Sequence, residues 1–367
     1  MSIECEKVGG INLAQGVCDT ETPEIVRRMA GQAIESGVNS YTRFDGLPQL
    51  RQAIAHKLVR DNDIEADPES QIIVTGGSTG AFYCACLALL DPGDEIILFE
   101  PYYGYHVNTL LAAGAVPSYV TLRTPNWSFS PEDLEAVVTP KTKGIMINTP
   151  ANPSGKVFTQ EELEWIADFS VRYNLIVFTD EIYEYFVYDG LKHISPASLR
   201  RISDRTITIS GFSKTFSVTG WRVGYCVAKK EWAQMIGHFS DLVYVCAPAP
   251  LQMGLAAGLE QISLEYFLSL KGEYVAKREK ICSALYKAKL QPFVPQGAYY
   301  VLADTEALPG LNSKERARYL LAKTGVAGVP GEAFFHGPEG QKFIRFCFAK
   351  TESELDKACR RLEAFSL

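Results

Sequence analysis

The run Thr-Ile-Thr-Ile-Ser-Gly-Phe-Ser-Lys-Thr-Phe-Ser-Val-Thr-Gly-Trp-Arg-Val-Gly-Tyr, Thr206 to Tyr225, decides how the rest of the chain is read. Its β-branched opening is a strand that ends in a tight turn at Gly211. The next segment presents one amine, Lys214, among hydroxyls and aromatics, with Arg222 eight residues on. A single lysine with anion-binding groups around it is suited to holding a phosphorylated aldehyde as a Schiff base.

Outward from this run, strand-like and helical patterns alternate from about residue 71 to 228, as expected for a parallel sheet built from βαβ units. The expected strands are Gln71–Thr75, Glu95–Phe99, Val116–Thr121, Gly144–Asn148, Leu175–Thr179, Thr206–Ser210 and Arg222–Ala228. Helices are expected at Ser78–Leu90 and Thr159–Tyr173, the second opening with a threonine cap and glutamates in its first turn. After Pro250 the texture changes, with one long helix from about Leu264 to Lys289, shorter strands, and a final helix from Glu352 to Phe365. The fold class is therefore α/β: a large domain with a mostly parallel seven-stranded sheet flanked by helices, plus a smaller α+β domain.

A chain of 367 residues, 47% hydrophobic and 22% charged, is long enough for two domains with sizeable cores. A net charge of -7 without a basic stripe argues against nucleic-acid binding. Nine cysteines without a CxxC pair read as reduced, buried thiols, no metal site is expected, and a cytoplasmic location follows. The longest apolar run, Ala81–Leu90, is too short to span a bilayer, and no signal peptide is recognisable.

Polar residues of chemical interest fall just past strand C-termini, where open α/β sheets bind ligands. Asp180 follows the apolar run Leu-Ile-Val-Phe-Thr, and a carboxylate there can keep a pyridine nitrogen protonated; a turn cap or a metal-binding acid are its other readings. Thr75-Gly-Gly-Ser-Thr-Gly-Ala81 stands between a strand and a helix, so the amides of Gly77, Ser78 and Thr79 can face a phosphate. Arg222 and either Ser210 or Ser213 would complete that cradle. Arg345 sits in an otherwise apolar strand, Phe343–Phe348, where a guanidinium is costly unless it meets an anion: a substrate carboxylate or a structural acid.

Three further segments, Asn148-Thr-Pro-Ala-Asn-Pro-Ser-Gly155, Thr179-Asp-Glu-Ile-Tyr183 and Phe343-Ile-Arg-Phe346, give the chain its likeness. In their order and spacing from near residue 11 to the C-terminus it resembles the pyridoxal-phosphate aminotransferases of the aspartate aminotransferase fold. The resemblance implies pyridoxal 5'-phosphate on Lys214, with Asp180 at the ring nitrogen and Tyr183 and Asn152 at the phenolic oxygen. It also implies Tyr103 stacked on the ring, Gly16 and Arg345 (with Asn152) at the substrate carboxylate, and Tyr41 reaching the neighbouring subunit's phosphate in a homodimer with shared active sites. It implies a discontinuous small domain, 1–29 with 271–367, around a large domain of 30–270. One departure is visible: the position three before the lysine, often serine in relatives, is Gly211, which leaves Ser210 and Ser213 to be distinguished.

A P-loop is excluded because Ser213 and Thr208 stand where its glycines belong, and the glycines after Thr75 have the wrong spacing for a dinucleotide fingerprint. Transamination between an amino acid and a 2-oxo acid is the expected reaction, with a β-carbon-sulfur lyase of the same fold as the alternative. An effector sensor fused to a DNA-binding module is disfavoured, because the chain begins almost directly at the catalytic pattern. Tyr41, Tyr103, Tyr299 and Phe334 suggest a large neutral or aromatic substrate; a dicarboxylate stays open if an arginine such as Arg43 reaches the site.

Overall fold

The computed structural model describes residues 1–365. Its strands are β1 (Ile11–Asn12), β2 (Ile72–Thr75), β3 (Glu95–Glu100), β4 (Val116–Thr121), β5 (Thr142–Asn148), β6 (Ile176–Asp180), β7 (Thr206–Gly211) and β8 (Gly224–Val227), then β9 (Gln291–Phe293), β10 (Tyr300–Asp304), β11 (Val326–Ala327), β12 (Val329–Pro330) and β13 (Phe343–Cys347). Seven of them form one sheet in the order β2-β8-β7-β6-β5-β3-β4. It is parallel except for β8, which runs antiparallel to both β2 and β7.

The central strands are apolar throughout because helices cover both faces of the sheet. Along β6, Ile176 and Phe178 join one core with Phe82, Cys84 and Met146, while Val177 joins another with Ile145, Ile147 and Ile166. Period two then places Asp180 on the Phe178 side, at the C-terminal edge. The register pairs Asn148 with Asp180 and Asp180 with Ile209, so the ends of three neighbouring strands meet at one level.

The helices follow the expected signals. Thr159 and Glu162 form a reciprocal capping box at the start of Gln160–Arg172. Gly77–Leu89 begins one residue earlier than expected, directly at the glycine-rich turn. β8 begins later than expected: Arg222 has φ +53 and so cannot continue a strand.

The smaller layer is a four-stranded antiparallel sheet, β12-β13-β10-β9, and a parallel pair, β1 with β11. The helices Leu264–Lys287 and Glu352–Glu363 cover it, burying Tyr274, Leu285 and Leu355 against Tyr299 and Phe348. All nine cysteines are free, and seven are buried; Cys246 and Cys282 are only partly covered, against the expectation of uniform burial. Among the described residues no helix is long and apolar enough to cross a membrane.

Candidate active site

The C-terminal edge of the large sheet and the smaller layer enclose a cavity of about 590 Å³. Eleven residues singled out from sequence line it. Lys214, Ser213 and Arg222 come from the turn after β7; Asp180 and Tyr183 from the end of β6; Ser78 and Thr79 from the first helical turn after β2. Tyr103 and Asn152 follow β3 and β5, and Gly16 and Arg345 enter from the smaller layer.

Asp180 is buried and doubly anchored. One carboxylate oxygen accepts from the Ile182 amide at 3.2 Å, and the other lies 2.9 Å from His106 Nε2, whose N–H donates to it. Asn148 fixes the neighbouring backbone, donating to the Asp180 carbonyl at 3.0 Å while accepting from the Asn152 amide at 2.8 Å. His106 and Asn148 escaped the sequence reading. His106 had a weak signal, since it lies three residues after Tyr103 on the helix Gly104–Ala112 and so shares its face. Its ring meets Tyr103 and Phe82 edge-on, at 5.2 and 5.4 Å between centroids.

The Lys214 amine is largely withdrawn from water and donates to the Gly16 carbonyl at 3.3 Å. Burial holds its pKa below the ordinary lysine value, and Arg222 adds to the effect while Asp180 opposes it. The same carbonyl accepts from Tyr299 at 3.1 Å. Burial also raises the phenols, Tyr103 to about 12 and Tyr183 well above its usual value, so both stay protonated donors near neutrality.

An anion cradle stands at the start of the helix Gly77–Leu89. Gly77 has φ +80, and a Cβ there would lie 2.6 Å from Arg222 Nη2, so glycine is what lets the guanidinium lie against the turn. Gly224 does the same from β8, where a Cβ would lie 2.5 Å from the Ser78 amide nitrogen. Ser213 faces this cradle, whereas Ser210 does not: its hydroxyl donates to Glu184 Oε1 at 3.1 Å, in a buried cluster that includes Lys57 and Asn62. The strand's alternation accounts for that correction, since Ser210 falls on the opposite face from the cavity.

Arg345 is 6% exposed, donates to Asn152 Oδ1 at 2.8 Å and to the Ala14 carbonyl at 2.7 Å, and pairs with no acid among the described residues. Its guanidinium carbon lies 4.3 Å from the Tyr300 ring centroid and 4.9 Å from that of Phe334. Tyr300, a third such residue and one without a sequence signal, also lines the cavity. Tyr41, by contrast, is 83% exposed and outside its own chain's cavity, and Arg43 is committed to Asp45.

The profile described as "Aminotransferase class I and II" matches residues 8–362. The aspartate aminotransferase of Pyrococcus abyssi is 37% identical over 96% of this chain and 90% of its own length. Kynurenine–oxoglutarate transaminase 3 of Rattus norvegicus is 36% identical over 95% of this chain and 83% of its own. The chain belongs to the class I and II aminotransferases.

Among solved structures, the N-succinyldiaminopimelate aminotransferase of Mycobacterium tuberculosis superposes with a TM-score of 0.96 at 33% identity, covering 100% of this chain and 96% of that one. An Escherichia coli protein with a methionine aminotransferase function gives 0.94 at 31%, covering 99% and 96%. Like its family, this aminotransferase depends on pyridoxal 5'-phosphate. Its residues fit that group: a half-buried amine, a clamped carboxylate, an anion cradle and an arginine with no acid partner among the described residues surround one space.

Proposed function

We propose that this aminotransferase moves an amino group from a large neutral or aromatic amino acid to a 2-oxo acid by a ping-pong route. The observation that carries the substrate class is the count of cations. Apart from His106, which is tied to Asp180, the cationic side chains lining the cavity are Lys214, Arg222 and Arg345. With Lys214 at the cofactor aldehyde and Arg222 at the phosphate, Arg345 remains for one carboxylate, and among the described residues lining the cavity no further cation is left for a second. Tyr103, Tyr105 and Tyr300 provide aromatic walls in its place.

The bound cofactor supplies an electron sink for charge developing at the substrate Cα. In this reading Asp180, held by His106, keeps a proton on the ring nitrogen. Tyr183 and Asn152 donate toward the phenolic oxygen, and Tyr103 covers one ring face. The amides after Gly77, the hydroxyls of Ser78, Thr79 and Ser213, and Arg222 hold the phosphate. Lys214 Nζ, whose pKa is lowered by burial, would take the proton from Cα and deliver it to the coenzyme's C4′ carbon. Arg345 and the Gly16 backbone fix the α-carboxylate so that the Cα hydrogen faces that amine.

The active unit in this reading is a homodimer, in which Tyr41 reaches the partner's phosphate site; its exposure outside its own cavity supports this. The domain division at 29/30 and 270/271 goes with it. Pairing of Ile11–Asn12 with Val326–Ala327 supports placing the N-terminal segment with the small domain, while both boundaries fall within continuous helices, Glu24–Glu35 and Leu264–Lys287.

The test is a half-reaction screen: mix the yellow enzyme with single amino acids and follow loss of the visible band. Tyrosine, phenylalanine or methionine should react with higher kcat/KM than aspartate. Preference for aspartate would refute the cation count, and release of pyruvate and ammonia from a cysteine conjugate without an acceptor would refute transamination. Borohydride treatment should trap the coenzyme on Lys214 and not on a Lys214→Ala variant.

A further inference from the structure

Tyr300 makes contacts at both ends that none of the roles above uses. It is 2% exposed, in β10, directly opposite Cys347 and therefore diagonal to Arg345 on the same face of the antiparallel pair. Its ring lies 4.3 Å from the Arg345 guanidinium carbon, and its hydroxyl lies 3.0 Å from the Tyr183 hydroxyl. The Gly16 backbone closes it from a third side: a Cβ on Gly16 would fall 1.8 Å from the Tyr300 oxygen.

We propose that Tyr300 is a positioning residue that couples the carboxylate fork at Arg345 to the phenol of Tyr183, one through its ring face and the other through its hydroxyl. The coupling has a direction, set by hydrogen-bond polarity. Tyr183 has a single proton. If it donates that proton toward the cofactor's phenolic oxygen, as proposed above, it can only accept from Tyr300. Tyr300 O–H then donates to Tyr183, and a donor that is itself hydrogen-bonded from behind donates more strongly. A stronger donation draws negative charge from the phenolic oxygen and so weakens that oxygen's hold on the proton of the adjacent lysine–coenzyme linkage. At the other end the ring face holds the guanidinium flat, in the orientation needed for a two-point grip on a carboxylate.

The two ends are separable, which makes the inference testable. It rests on the roles given above to Tyr183 and Arg345. The reconstituted holoenzyme, Tyr300→Phe and Tyr300→Leu are compared by two readouts besides turnover. One is the pH midpoint at which the visible absorption of the bound coenzyme changes; the other is the Kd of succinate monomethyl ester, an unreactive monocarboxylate. Tyr300→Phe keeps the ring and removes the donor, so the midpoint should rise by roughly 0.5 pH unit while Kd stays within about twofold. Tyr300→Leu removes both, so the midpoint should rise equally and Kd should weaken about fivefold.

An unchanged midpoint in Tyr300→Phe overturns the hydroxyl half, and an unchanged Kd in folded Tyr300→Leu overturns the ring half. Should Tyr300→Leu not fold, Tyr300→Trp, which keeps an aromatic face without a phenol, serves in its place: Kd should then be preserved and the midpoint raised. If no visible band forms in the unmodified protein on adding coenzyme, it is the functional reading that fails rather than the role of Tyr300.

Discussion

Replacing Arg345 by leucine should separate function from stability, because the two explanations for a buried arginine predict opposite outcomes. In the folded chain the guanidinium gives hydrogen bonds to Asn152 Oδ1 and the Ala14 carbonyl and meets no acid among the described residues. A bidentate carboxylate would add two charge-assisted hydrogen bonds of about 2 kcal/mol each. Losing about 4 kcal/mol of transition-state binding lowers kcat/KM about 10³-fold. For folding, leucine removes a cation whose burial costs several kcal/mol and forfeits two hydrogen bonds whose acceptors border a cavity that water can enter. The melting temperature of the apo protein should therefore stay within about 3 °C of the parent, or rise. Steady-state kinetics with an amino donor and differential scanning calorimetry, with and without a saturating carboxylate, check both halves. If Arg345 instead belonged to a structural ion pair, breaking it would cost about 3–5 kcal/mol and drop the melting temperature by about 10 °C. Such a drop, or a kcat/KM within about tenfold of the parent, would refute the reasoning.

The depressed pKa of Lys214 makes the unfolded apo chain bind more protons than the folded one between the two values, so folding stability rises with pH through that window. Lys214→Met should accordingly stabilise the apo protein at pH 7, with the gain shrinking as pH approaches the ordinary lysine value near 10.5; denaturant melts at several pH values measure it. Gly77→Ala places a methyl against Arg222 on a backbone with positive φ, and should weaken coenzyme affinity by about tenfold or more, read from reconstitution of the apo protein. Ser213→Ala should also weaken coenzyme binding. Ser210→Ala should leave it unchanged while lowering the melting temperature by a few degrees, as a bond to the buried Glu184 carboxylate is lost.

The architecture was legible because the strands are apolar runs closed by recognisable turns, and a parallel sheet leaves little freedom in where its ligand edge lies. Lys214, Asp180, Arg222 and Arg345 could be found for the same reason: each is a charge at the end of, or inside, an apolar strand pattern. His106, Asn148 and Tyr300 were not, because a histidine in a helix, an asparagine at a strand end and one tyrosine among 18 gain meaning only from what they face across the fold. Ser210 and Ser213 were both plausible on spacing alone. Strand alternation separates them once β7 is known to run to Gly211. That strand end also gives a physical reason for the glycine at 211: a Cβ there would lie 3.0 Å from the Gly224 Cα, across the β7–β8 pair.

The alignment of Asn148, Asp180 and Ile209 at one level has a bearing on which changes of length the chain can absorb. Adding or deleting one residue inside β6 would invert its pleat, turning the Asp180 carboxylate away from His106 and presenting Thr179 to the cavity instead. The same change in the connection from Tyr173 to Leu175, or beyond Tyr188, would leave the pleat intact. Growth and shrinkage by single residues are thus confined to the segments between strands, and the catalytic edge behaves as a fixed ruler against which those segments can vary.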